Sequence, residues 1–199
     1  MPVSWDDSKL LSRSIRGVRF LKPERYMSSE IVDALSVLQG LPMWAAGRAW
    51  VLLWLHFGGV HDVVDRSGPK TVGDYALHID CPWRIVQRDV VVVGALDRFY
   101  PGDGHNDDDF DWNHSRDTRW DRRLQQFMER YGTSGPIVRG IEVRGAGAFT
   151  LRFDDEVSFE VFPNRSVDVE YWRLFKPYRR DSPHIVVIGD TTGRVYIEE

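Results

Sequence analysis

Asp107, Asp109 and Asp111 alternate along the chain, and acids at that spacing open the loops that hold calcium. Such a loop also needs glycine at its sixth position and glutamate at its twelfth. Counted from Asp107, those positions are Trp112 and Thr118, so the pattern stops after three residues. His105 and His114 flank the same stretch, at a spacing that fits no standard transition-metal site. A solvated acidic loop is the plainer reading, and no metal or other cofactor is expected. Cys81 is the one cysteine. As a nucleophile it would need a thiolate and a base within reach, with His56 or His78 as candidates. Pro82 follows it, no nucleophile signature surrounds it, and free cysteines are commonly buried. No phosphate-binding glycine loop, serine elbow or paired Cys/His zinc pattern occurs, and Gly145-Ala-Gly147-Ala lacks the second half of a dinucleotide fingerprint. No catalytic residue is assigned. A small enzyme of unknown class, using the acidic loop or Cys81, is the alternative reading.

A second grouping needs a helix to form. At 100° per residue Arg116, Arg119, Arg123 and Arg130 fall within about 60° of one another, beside Trp120 and Phe127. Arginine next to aromatics is typical of interface anchors. The plainer and favoured reading is that the stripe pairs with the acidic loop before it, because charge runs are usually solvated or self-paired. The candidate partner-binding residues are therefore Asp107, Asp108, Asp109, Asp111, Arg116, Arg119, Trp120 and Arg123. The basic stretch Lys176-Pro-Tyr-Arg-Arg180 is short, and the net charge of the chain is -4. Nucleic-acid binding wants a broad basic face, so nucleic acid is not an expected partner.

The 199 residues are 42% hydrophobic and 28% charged, enough to build a core and stay in solution. A lone cysteine fits a reducing compartment. The stretch from Met1 to Ser14 has no apolar core and carries Asp6 and Asp7, unlike a secretory signal. The longest apolar run, Ala49 to Leu55, is too short to span a bilayer. A cytoplasmic protein with no membrane partner is expected. Whether its eight tryptophans fill the core or anchor a partner decides most of what remains.

The elements follow from periodicity. A weak strand is read over Ile15 to Leu21. A helix capped by Ser28 or Ser29 carries Ile31, Ala34, Leu35 and Leu38 on one stripe, and Gly40 and Pro42 stop it. Trp50 to Phe57 is apolar on both faces and reads as a central strand ended by Gly58-Gly59. A turn-rich stretch, Asp65 to Gly73, leads to a strand over Tyr75 to Ile79. Trp83 to Val86 and Val90 to Val93 form a hairpin. A second helix over Asp117 to Tyr131 faces inward with Trp120, Leu124, Phe127, Met128 and Tyr131. Phe149, Leu151 and Phe153 oppose Val161, Phe159 and Val157 across the turn Asp154-Asp155-Glu156, which puts all six on one face. Val167, Val169 and Tyr171 continue the alternation, and strands follow at Ile185 to Ile188 and Val195 to Ile197. The fold class is α+β: two helices packed on antiparallel β-meanders, in one compact domain over 1–199.

The two halves share an order of landmarks. Leu55-His-Phe57, Trp83-Arg-Ile85 and Val90 to Gly94 recur as Leu151-Arg-Phe153, Trp172-Arg-Leu174 and Ile185 to Gly189. An internally duplicated helix-plus-sheet unit would produce this order, with pseudo-repeat halves 28–100 and 115–199 joined by the acidic loop 101–114. Strands drawing on the same few residue types would produce it too. Tyr75 to Ile85 resembles segments of small bacterial proteins. So does Phe149 to Asp155, with Glu160-Val-Phe-Pro163 and Glu170 to Phe175. The pattern is similar to immunity-type proteins of bacterial toxin systems. That resemblance implies a protein that binds and neutralises a cognate toxin, and it carries over no catalytic residue. The reading is a protein-binding module whose partner is another protein.

Overall fold

The structure, a computed structural model, describes residues 24–65, 68–102, 110, 117–179, 181–190 and 195–198. The segment read as a weak strand, Ile15 to Leu21, lies outside them. Among the described residues no helix is long and apolar enough to cross a membrane.

The first helix, α1 (Glu24–Ser36), starts a turn earlier than its serines suggest, so Ser28 and Ser29 lie inside it. Its stripe is as read: Ile31, Leu35 and Leu38 are fully buried. The chain then enters β1 (Met43–Ala49), whose small residues gave no strand signal. This corrects the apolar run at Trp50. Trp50 has φ 60 and turns β1 into β2 (Leu52–Asp65). Nor do Gly58 and Gly59 end β2. A bulge between Phe57 and Val60 carries it past them, with Gly58 at φ 80 and the Gly59 N–H donating to the Asp74 carboxylate. Its partner β3 (Gly68–Ile79) therefore begins inside the stretch expected to be turns.

The hairpin β4 (Trp83–Gln87) and β5 (Val90–Gly94) is as expected, and a single 3-10 turn over Ala95–Phe99 follows. Helix α2 (Arg119–Tyr131) is capped by Thr118, which accepts from the Asp121 N–H, and Gly132 ends it at φ 61. Four residues with no strong pattern form β6 (Gly140–Val143). The hairpin β7 (Phe149–Arg152) and β8 (Val157–Val161) has the expected register, Phe149 opposite Val161 and Leu151 opposite Phe159. All six residues assigned to its inner face are buried. The last strands are β9 (Val169–Phe175), β10 (Ile185–Gly189) and β11 (Val195–Glu198).

All pairings are antiparallel, in a six-stranded sheet β1-β2-β3-β9-β10-β11 and a five-stranded sheet β5-β4-β8-β7-β6. The inner faces of both sheets and the apolar stripes of both helices share one core. The Phe149 and Trp172 rings meet edge to face across it, 5.1 Å apart. Neither half builds a sheet alone. Each sheet takes three consecutive strands from one half and the next strands from the other. Read from its meander, the first sheet runs β1-β2-β3-β9-β10-β11 and the second β6-β7-β8-β4-β5. With the edge strand β11 set aside, exchanging the halves strand for strand turns one order into the other.

Candidate functional site

Asp107, Asp108, Asp109, Asp111 and Arg116 lie outside the described residues. The ends of their loop are held together: Pro101 bridges Thr118, and the Arg119 N–H donates to the Tyr100 carbonyl at 2.8 Å. Trp120 is fully buried, edge-on to Trp83 at 5.0 Å. It is a core residue and cannot reach a partner, which corrects its assignment as an interface anchor. An apolar face and an anchor face carry the same residue types, so periodicity could not separate them. The charges of α2 are largely turned onto the fold. Arg119 lies 3.9 Å from Asp97, Arg122 grips Asp117 with two donors, and Arg130 donates to Gln87. Arg48 reaches from β1 to hold Asp121 with two donors, at 2.6 and 2.7 Å. The Arg123 Nε is buried as well.

Cys81 is buried, and burial pushes its thiol up to about 12, with Arg165 opposing and Asp80 adding to the rise. It is protonated at neutral pH, so it is no ready nucleophile. His78 is pushed down to about 4, first by burial and then by Arg173. Among the described residues no group of three His, Cys, Asp or Glu side chains could hold a metal ion.

The features that do converge lie where the chain passes between sheets. Residues 80–82 carry it from β3 to β4, and residues 162–168 carry it back from β8 to β9. The two crossovers run side by side: the Phe162 N–H donates to the Pro82 carbonyl at 3.0 Å, and the Asp80 N–H to the Tyr171 carbonyl at 2.8 Å. Between them and the 3-10 turn opens a cavity of about 560 Å³, with Cys81 and Trp83 among its lining. Val51, from the β1–β2 turn, and Val91, from edge strand β5, complete its walls.

The rim is apolar and exposed. Leu96 is 69% accessible, Val91 53% and Phe162 41%, while Trp50 and Phe99, next in sequence to lining residues, are 89% and 58% accessible. The 3-10 turn forms because the Asp97 carboxylate accepts from the Gly94 N–H at 2.9 Å and the Asp97 carbonyl from the Tyr100 N–H. Side chains three apart eclipse in that geometry, so Leu96 and Phe99 share one side. That i, i+3 pair after Gly94 was the signal in the sequence, and it is too short to read without knowing that both side chains are exposed.

Most charges around the cavity are matched. Arg165 donates to the Asp80 carboxylate at 3.3 Å, and Arg84 to Glu160 at 2.7 Å. Arg98 differs. Its guanidinium lies over the Phe99 ring, 4.4 Å from the centroid, and its Nε is buried without a hydrogen-bond partner. Burial lowers its pKa. The Trp83 Nε1 is likewise buried and unpartnered. The site thus offers apolar surface bordered by charges of both signs, Asp80 and Asp97 beside Arg84, Arg98 and Arg165. A larger cavity, about 670 Å³, lies beside α1 and β9, but its cations are seated on the fold's own rings, Lys176 over Tyr75 and Arg179 over Tyr178. No family model matches the chain, and no curated protein or solved structure matches it.

Proposed function

We propose that this chain is a protein-binding module that docks its partner on the apolar rim between the Trp50 turn and the 3-10 turn. The observation that carries the reading is the exposure of Val51, Val91, Leu96 and Phe162 in the lining of one cavity, where a soluble surface usually keeps large apolar groups scattered. Covering each such side chain contributes about 1.5–3 kcal/mol. The finer form is an immunity-type protein that neutralises a cognate toxin, which rests on the resemblance of the 75–85 and 149–175 segments.

The test is purification from the native cells by size exclusion, wild type beside a Leu96→Asp, Phe99→Asp double variant. A stoichiometric partner protein should accompany the wild type and leave the variant, with the melting temperature unchanged. A complex that survives the double variant, or a wild type that elutes alone, overturns the reading. A toxin as the recovered partner would support the finer form.

We also infer that the halves 28–100 and 115–199 descend from one duplicated unit. The matching strand orders support this, and so do the landmarks, since β2, β4 and β5 carry the segments that recur in and just after β7, in β9 and in β10. On that reading the docking cavity sits where the two equivalent crossovers meet.

A further inference from the structure

β1 is an edge strand of the six-stranded sheet, and a groove of about 360 Å³ runs between it and α2. Every residue from Trp44 to Arg48 lines one side, and Leu124, Gln125, Met128 and Glu129 are among those lining the other. A groove over a sheet face would touch alternate residues, so five in a row place this one along the edge of the strand. The two-residue turn at Trp50 and Val51 sets which backbone groups point into it. Ala49 and Leu52 close that turn as a hydrogen-bonded pair. Bonded and non-bonded pairs alternate from there, so Gly47 bonds to β2 while Ala46 and Arg48 turn their N–H and C=O outward. Among the described residues no backbone group bonds to those four. The side chains of the same two residues face the core, opposite the buried Leu55 and Leu53, and Arg48 ties β1 to Asp121 of α2. Strand and helix both lead away from that bridge. Glu129, eight residues along α2 from Asp121, is exposed and makes no ion pair among the described residues. A strand edge with free backbone groups is a template for another strand.

We propose that β1 accepts an extended strand of a partner protein, laid antiparallel in the groove beside α2. The residues opposite Arg48 and Ala46 exchange backbone hydrogen bonds with them and turn apolar side chains toward Leu124 and Met128. A lysine or arginine two residues further on meets Glu129. Antiparallel is the sense of every pairing in both sheets, and it is the slightly stronger ladder. An extended chain is the occupant whose own N–H and C=O groups repeat every two residues, as the free groups of β1 do. This goes beyond the docking reading above, because the groove is a different surface that adjoins the rim only through the Trp50 turn.

The experiment is an NMR titration of the intact protein with the blocked peptide acetyl-Val-Thr-Val-Thr-Lys-amide, following the Ala46 and Arg48 amide resonances. Both should move. N-methylation of the central valine removes a donor aimed at β1 and should weaken binding about tenfold. N-methylation of the second threonine, whose N–H points away, should leave binding unchanged. Ala46→Pro deletes an outward donor without removing a bond to β2 and should weaken binding to a similar degree. The two methylated peptides read the ladder on the wild-type protein alone, so the test holds even where Ala46→Pro costs stability. Replacing the lysine by norleucine should weaken binding about threefold, and Glu129→Gln should erase that difference. Unmoved Ala46 and Arg48 amides, or equal losses from either methylation, overturn the proposal. Shifts of the same amides with protein concentration alone overturn it in favour of a second copy of this chain. Peptide binding should persist in the Leu96→Asp, Phe99→Asp variant, so this proposal and the rim reading can fail separately. Its loss there would place the peptide on the rim and overturn the proposal.

Discussion

His78 shows how one residue type takes its chemistry from position. It lies opposite Trp54 on β2 and Arg173 on β9, with Phe175 edge-on at 4.8 Å. Burial comes first in holding its pKa down to about 4. Arg173, His56 and His184 push the same way, and Glu170 opposes them. His56 and His184 are lowered too, each chiefly by burial. An unfolded histidine titrates near 6.5. Between there and about pH 4 the unfolded chain therefore binds more protons than the folded one, and stability falls as pH falls through that window. The stabilisation is fully present above pH 6.5 and gone below the folded pKa. The melting temperature of the wild type should drop from pH 7 to pH 4, and His78→Gln should make that decline shallower. An unchanged slope in the variant would assign the loss to other groups. Asp74 responds separately. Its carboxyl is lowered first by the hydrogen bond with His61, so its contribution disappears only in the acid range of carboxylates.

Among the elements, the β7–β8 hairpin is the part most strongly specified by its own residues. Period-two alternation put six apolar side chains on one face, and a slip of one residue would have exposed them. The turn itself is not optimal. Asp155 and Glu156 have φ 57 and 56, a conformation that suits Asn-Gly and costs other residues about 1 kcal/mol or more each. Replacing them, Asp155→Asn with Glu156→Gly, should raise stability by about 1 kcal/mol. The change would be read as a higher urea midpoint at unchanged m value. The one ion pair lost, Arg88 with Glu156 at 3.7 Å, joins two mostly exposed side chains and contributes little. A lower midpoint would show that the acidic turn does more than close the hairpin.

The whole molecule is organised by exchange between its halves. β3 pairs with β9 and β4 with β8, so every sheet is completed by strands from far along the chain. A fragment 24–102 would hold a meander and a detached hairpin, with Leu77, Ile79, Trp83 and Ile85 stripped of their partners. That fragment and 117–198 should each be unfolded alone and should recover native circular dichroism as a one-to-one complex when mixed. Cooperative folding of 24–102 by itself would contradict the shared core. The docking cavity has the same dependence, because Arg98 and Trp83 come from one half and Phe162 and Arg165 from the other.

What the sequence determined by itself was local: the inward face of α2, the stripe of α1, the hairpins β4–β5 and β7–β8, and an α+β class. These follow from periodicity and turn chemistry within about 20 neighbouring residues, where the burial of one face enforces the pattern. Only the tertiary structure decided which strands meet, because pairing between distant strands depends on where the chain crosses and not on residue type. The same reason put Trp120 inside and Trp50 outside. Trp120 lies on a helix face closed by Trp83, while Trp50 sits on a turn with positive φ that an unbroken apolar run concealed. The cavity was hidden for this reason as well. Val51, Trp83, Arg98 and Phe162 carry no shared signal along the chain and become neighbours only when two crossovers pass side by side.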